Sequence, residues 1–115
     1  MFNLSKHNSI ANKYIAELRD VNIQKDRMRF RRNMERIGEI LAYEISKTLE
    51  YKEKDVETPL GIAPVNLPTQ RIVLGTILRA GLPMHQGALN IFDDAENAFI
   101  SAYRMHHKDG TVTLP

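Results

Sequence analysis

The segment Arg71-Ile-Val-Leu-Gly-Thr-Ile-Leu78 constrains this chain more than any other. It is a near-continuous apolar run, not an alternating one. That pattern predicts a parallel strand covered on both faces. Arg79-Ala-Gly-Leu-Pro83 follows as a turn, and Pro83 suits the first turn of a helix reaching about Ile91. Asn97 to Tyr103 reads as a second strand. The unit from Ile72 to Tyr103 is therefore expected to be a right-handed βαβ crossover. Two parallel strands make no sheet that can bury both faces. The sheet is expected to be incomplete, with the remainder supplied by a partner subunit or by further chain.

Upstream, the spacing predicts helices. Ile10, Ala11, Tyr14, Ile15 and Leu18 fall on one face of a short helix over 8–19, with Asn8 or Ser9 as cap. Phe30, Met34, Ile37, Leu41 and Ile45 form a longer stripe, and Asp26 is the expected N-cap of a helix reaching about Leu49. On its surface Arg31–Glu35 should attract and Glu35–Glu39 repel. Residues 52–70 hold Pro59, Pro64, Pro68 and Gly61. Val56 to Thr58 reads as a short strand and the rest as loop. Lys108-Asp109-Gly110 is a turn signal before Thr111 to Leu114, so a β-hairpin is expected there. The whole reads as one partial α/β domain over 1–115: a helical region over 1–49, a loop over 50–70, and the βαβ unit with the start of a hairpin over 71–115.

At 115 residues, with 43% apolar and 26% charged residues, the chain has the size and balance of one globular domain. Its longest apolar stretch, Ile72 to Leu78, is far below the roughly 20 residues of a membrane span. No secretory signal is visible near the N-terminus. Absence of cysteine removes disulfides, thiolate metal sites and a cysteine nucleophile together, and is compatible with a cytoplasmic setting. With 16 basic and 14 acidic residues, net charge does not demand a nucleic acid partner. The basic run Lys25 to Arg32 is interrupted by Met28 and Phe30, which favours a solvated helix face over a nucleic-acid surface.

Chemistry is expected beyond the end of the first parallel strand, where ligands bind in open α/β sheets. Small residues in the turn, Ala80 and Gly81, let backbone N–H groups approach an anion, and the following helix adds positive potential. Arg79 adds a guanidinium, and Arg104 stands at the end of the next strand. The same two arginines also fit a surface on which each pairs with an acid. His85 lies just past the turn and could touch a ligand or cap polar surface. No histidine grouping has metal-ligand spacing, so no protein metal site is expected. Asp93 and Asp94 read as a turn, and no serine has a paired base at a legible spacing, so no catalytic residue is named.

These residues also occur in a familiar order. Leu18-Arg-Asp20, Phe30-Arg31, Ile37-Gly38-x-x-Leu41-Ala-Tyr-Glu44 and Thr58-Pro-Leu-Gly61 precede Ile77-Leu-Arg-Ala-Gly-Leu-Pro-Met84, Gly87 and Ser101-Ala-Tyr-Arg104. The chain resembles the N-terminal portion of uracil phosphoribosyltransferases. The resemblance implies a type I phosphoribosyltransferase fold, a parallel sheet flanked by helices. It implies transfer of phosphoribose from phosphoribosyl pyrophosphate to uracil, giving uridine monophosphate and pyrophosphate in pyrimidine salvage, with magnesium. It also implies that Arg79, Ala80, Gly81 and Arg104 contact the pyrophosphate donor, that the peptide geometry around Leu78-Arg79-Ala80 is unusual, and that the protein forms homo-oligomers. The family's Asp-Pro strand end with its Thr-Gly-Gly turn, and its uracil-binding segment, have no counterpart here. The chain alone is therefore expected to be inactive. The alternative reading is a non-catalytic anion- or nucleotide-binding regulatory module; a nucleic-acid-binding protein ranks third.

Overall fold

The computed structural model describes residues 2–102, 105–106 and 112–113. Helix α1, Ala11–Arg19, begins where the Ser9 hydroxyl accepts the N–H of Ala11 at 3.2 Å. It ends at Asp20, whose carboxylate accepts the N–H groups of Asn22 and Ile23 at 2.8 and 3.1 Å and turns the chain. Helix α2, Arg27–Ser46, is capped by Asp26, which accepts the N–H of Arg29 at 3.1 Å. That cap answers one of the first-turn donors a helix leaves unpaired.

The apolar stripe of α2 is buried only along its middle. Ile37 and Ala42 are buried, while Phe30, Tyr43 and Ile45 remain exposed. The reason is coverage: α1 packs along one side of α2 and helix α3, Leu82–Ile91, along another. The most deeply buried side chain of any size is polar. Asn33 has no exposed surface; its Nδ2 donates to Glu17 Oε2 at 2.7 Å and its Oδ1 accepts from Arg36 at 3.0 Å. Helices α2 and α3 cross at two glycines. A Cβ at Gly38 would lie 2.4 Å from the carbonyl oxygen of Met84, and one at Gly87 would lie 2.0 Å from that of Glu35. The surface charges differ from the expected pattern. Glu35 pairs with Arg32 at 3.3 Å, and Asn90 on α3 donates to both Glu35 and Glu39, which relieves their repulsion.

Residues 50–70, expected as loop apart from a short strand at Val56 to Thr58, instead form a β-hairpin whose first strand contains those three residues. Strand β1, Tyr51–Thr58, pairs antiparallel with β2, Gly61–Pro68, through a Pro59-Leu60 turn. Gly61 takes φ +132, a conformation that L side chains resist, and the Thr58 hydroxyl donates to its carbonyl at 2.6 Å. Three prolines suggested loop, yet their positions suit the ladder. Thr69 N–H donates to the carbonyl of Glu50 at 3.0 Å, so the adjacent Tyr51–Pro68 pair is a non-hydrogen-bonded one. Pro64 lies four residues away and shares that phase. The nitrogens of Pro64 and Pro68 therefore face away from β1, where no donor is required. The hairpin accounts for the elongated envelope of 69 × 32 × 29 Å, and nearly all of its residues are exposed.

Strands β3, Val73–Leu78, and β4, Glu96–Ser101, pair in parallel from Val73↔Glu96 to Leu78↔Ser101, with α3 between them in sequence. This is an α/β arrangement with small, incomplete sheets, each of two strands among the described residues. The expectation that β3 is covered on both faces does not hold for the described residues. Leu74, Thr76 and Leu78 alternate inward and only Thr76 is fully buried, whereas Val73 and Ile77 are each 61% exposed. Helix α3 packs on β3, and no described element lies over the face carrying Val73, Ile77 and Ile100. Strands β5, Met105–His106, and β6, Val112–Thr113, form the antiparallel pair expected near the C-terminal end; the turn residues Lys108 to Gly110 lie outside the described residues.

Candidate functional site

The turn after β3 is built by three constraints. The peptide bond from Leu78 to Arg79 is cis, the unusual geometry expected there. Gly81 N–H donates to the carbonyl of Ile77 at 3.2 Å, and Leu82 N–H to that of Arg79 at 3.1 Å. Gly81 itself has an ordinary φ of −76; its lack of a side chain serves close approach, since a Cβ would lie 2.8 Å from Ile77 O and 2.9 Å from Thr76 Cγ2. Helix α3 starts one residue later, with Pro83 in its first turn. The turn thus sits at the carboxyl end of a parallel strand and at the positive end of a helix.

These bonds sort the turn's backbone donors. Gly81 N–H is already used within the turn. Among the described residues, the N–H groups of Arg79 and Ala80 meet no acceptor. Arg79 is exposed and its guanidinium makes no ion pair among the described residues. A hollow of about 430 Å³ runs along β3 beside the turn, lined by Thr76, Leu78, Ala80, Gly81, Met84 and Ala88. A larger hollow of about 560 Å³ lies between α2, α3 and β4 and does not include residues 79–81. Arg104 lies outside the described residues. The basic run is spread out: Arg29 pairs with Glu17 and Asp26, and Arg32 with Glu35.

His85 is not a surface cap; its ring lies between the two hollows and borders both. It is buried, with Nδ1 hydrogen-bonded to the Thr76 hydroxyl and Nε2 to Asn97 Oδ1 at 2.8 Å. The Phe99 ring lies beside it, 5.0 Å between centroids. Sequence reasoning passed over Thr76 and Asn97. The signal was available for Thr76, a lone polar residue in the otherwise apolar β3; Asn97 follows Glu96 and gave none.

The family model described as uracil phosphoribosyltransferase matches residues 4–114. The chain belongs to the uracil phosphoribosyltransferase family. A uracil phosphoribosyltransferase of Porphyromonas gingivalis is 54% identical over 106 residues, covering 92% of this chain and 49% of that protein. One of Methanothermobacter thermautotrophicus is 46% identical over 87 residues, covering 74% of this chain and 40% of that protein. The chain spans about half the length of the curated relatives it matches. A solved protein of Aquifex aeolicus superposes with a TM-score of 0.71 at 24% identity, over 95% of this chain and 51% of that one, and supports the fold. Within this chain, the Arg79–Gly81 turn occupies the strand end where α/β folds place ligands. Among the described residues, no three His, Cys, Asp or Glu side chains converge as metal ligands, and no helix is long and apolar enough to cross a membrane.

Proposed function

We propose that this chain is the pyrophosphate-side portion of an enzyme that transfers phosphoribose from phosphoribosyl pyrophosphate to uracil. The observation that carries this is the Arg79-Ala80-Gly81 turn at the end of parallel β3 and the start of α3, in a chain of this family. The Arg79 guanidinium offers two parallel N–H donors to diphosphate oxygens. The N–H groups of Arg79 and Ala80 supply further donors, and the α3 dipole adds positive potential. Arg104, one strand over in sequence, is assigned to the same diphosphate. As the glycosidic bond to the leaving diphosphate breaks, negative charge grows on it. Preorganised donors stabilise that charge by about 3–4 kcal/mol for a key group.

Magnesium belongs to the expected reaction. The turn offers no carboxylate to a divalent cation, so these residues do not fit a protein-held ion. The ion is assigned to the diphosphate oxygens, as part of the substrate.

The described residues contain no counterpart of the family's ribose-phosphate loop or uracil segment. Orientation of two substrates supplies roughly 7–11 kcal/mol in favourable cases, more than one anion donor can replace. The 115-residue chain alone is therefore expected to bind pyrophosphate without forming uridine monophosphate. The test is a radiolabelled-uracil assay together with calorimetric titration of inorganic pyrophosphate. Binding that is lost in Arg79→Ala, without product, supports the reading; enzyme-dependent product from this chain overturns the inactivity. Homo-oligomerisation is proposed with it, because the Val73, Ile77 and Ile100 face and the ends of the α2 stripe are exposed apolar surface. Light scattering that gives a clean monomer at high concentration overturns that part.

A further inference from the structure

We propose that Thr76, His85 and Asn97 form a polar bridge, buried at Thr76 and His85, that positions the Arg79–Gly81 turn for its anion, with His85 as a positioning residue. This rests on the anion-site reading above and adds residues to it.

The bridge ties one helix to two strands. His85 lies near the start of α3, Thr76 on β3, and Asn97 on β4, where it pairs in register with Leu74. Both ring nitrogens are engaged within the fold. In the proposed tautomer Nε2 carries the proton and donates to the Asn97 oxygen at 2.8 Å. A neutral ring then presents Nδ1 as an acceptor, and the Thr76 hydroxyl donates to it. The two strand partners thus fix one tautomer and one ring orientation.

Thr76 links this bridge to the turn directly. Its hydroxyl meets His85, while its Cγ2 methyl lies under Gly81, where an added Cβ would approach to 2.9 Å. The backbone N–H of His85 donates to the Gly81 carbonyl at 2.9 Å, a first-turn bond of α3. The turn is therefore held from below by Thr76, and the His85 ring fixes the start of the helix that leaves it. The other α3 residues beside β3, Met84 and Ala88, are apolar and give no directional bond. Sliding or rotation of α3 over the sheet would break both ring bonds and move the Arg79 and Ala80 N–H groups. Hydrogen bonds are directional to within a few tenths of an ångström and weaken steeply off axis, so a displaced turn grips a diphosphate less well.

The test uses the whole chain and inorganic pyrophosphate. Affinity is measured by calorimetry for the unsubstituted chain, Arg79→Ala, Thr76→Val, Thr76→Ser and His85→Phe, each checked for cooperative unfolding. Thr76→Val keeps the shape and removes the hydroxyl; Thr76→Ser keeps the hydroxyl. Arg79→Ala should lose more than tenfold. Thr76→Val and His85→Phe should lose about three- to tenfold, and Thr76→Ser, which keeps the hydroxyl and gives up the methyl under Gly81, should lose less than Thr76→Val, a rescue that a role in packing alone would not produce. Nitrogen-15 spectra of the unsubstituted chain should give His85 as the Nε2–H tautomer. A loss in Arg79→Ala with none in Thr76→Val overturns this inference and leaves the anion site standing. An Nδ1–H tautomer overturns it as well, and that reading survives an unfolded His85→Phe. Pyrophosphate that binds Arg79→Ala as tightly as the unsubstituted chain overturns the anion-site reading itself.

Discussion

Gly87 on α3 faces the backbone of Glu35 on α2 so closely that a Cβ would stand 2.0 Å from the Glu35 carbonyl oxygen. The reciprocal position, Gly38, faces Met84 O at 2.4 Å. Helix propensity alone favours alanine over glycine by about 1 kcal/mol. Overpacking against backbone, which cannot swing aside, costs about 1–3 kcal/mol or more. The clash wins. Gly38→Ala and Gly87→Ala should both destabilise the chain, Gly87→Ala the more, by about 2 kcal/mol or above. Urea unfolding midpoints check the order.

Acid should weaken the α1–α2 contact. The Asn33 amide beside Glu17 holds its carboxyl below the usual carboxylate range, against the opposing effect of partial burial, with the charges of Arg29 and Lys13 assisting. The N–H groups of Asn22 and Ile23 do the same for Asp20. A depressed carboxyl contributes stability above its unfolded value and loses it as pH falls through the folded one. The urea midpoint should therefore hold from about pH 7 down to the ordinary carboxylate range and fall below it. In Glu17→Gln that acid loss should shrink and leave the Asp20 part.

Asp26 caps α2 through a 3.1 Å bond to the Arg29 N–H. Asp26→Ala should cost about 1 kcal/mol, and Asp26→Asn only a fraction of that. Thermal unfolding of the two variants separates the hydrogen bond from the charge.

Gly61→Ala meets no neighbour within 4 Å, so its cost is backbone conformation alone, about 1–3 kcal/mol at φ +132. Because β1 and β2 pack chiefly on each other, that cost should fall on the hairpin. Amide exchange should quicken across 51–68 while the exchange of α2 stays unchanged.

Much of the fold was legible because its elements obey local rules. Asp26 announced α2, and Pro83 announced the start of α3. The apolar run before Arg79 announced a strand, since a parallel strand needs no alternation. The hairpin was not legible because proline content was read as loop. What mattered was the spacing of Pro64 and Pro68, both on the same outward phase of β2. The site was legible as the Arg79-Ala80-Gly81 turn. Its support was not, because Thr76, His85 and Asn97 converge only when strand, helix and strand are folded together. Which N–H groups of the turn remain available is likewise a tertiary fact.

The phase of those two prolines has a further result. The outward N–H positions of β2 fall at Ile62, Pro64, Asn66 and Pro68, and the two prolines supply none. An open strand edge is a template on which other extended chains can add, and that is how edge-to-edge aggregation begins. Here the template is broken at every second donor. That edge of the ribbon is therefore a poor template, and an extended chain finds an unbroken row of donors only along β1, the ribbon's other edge.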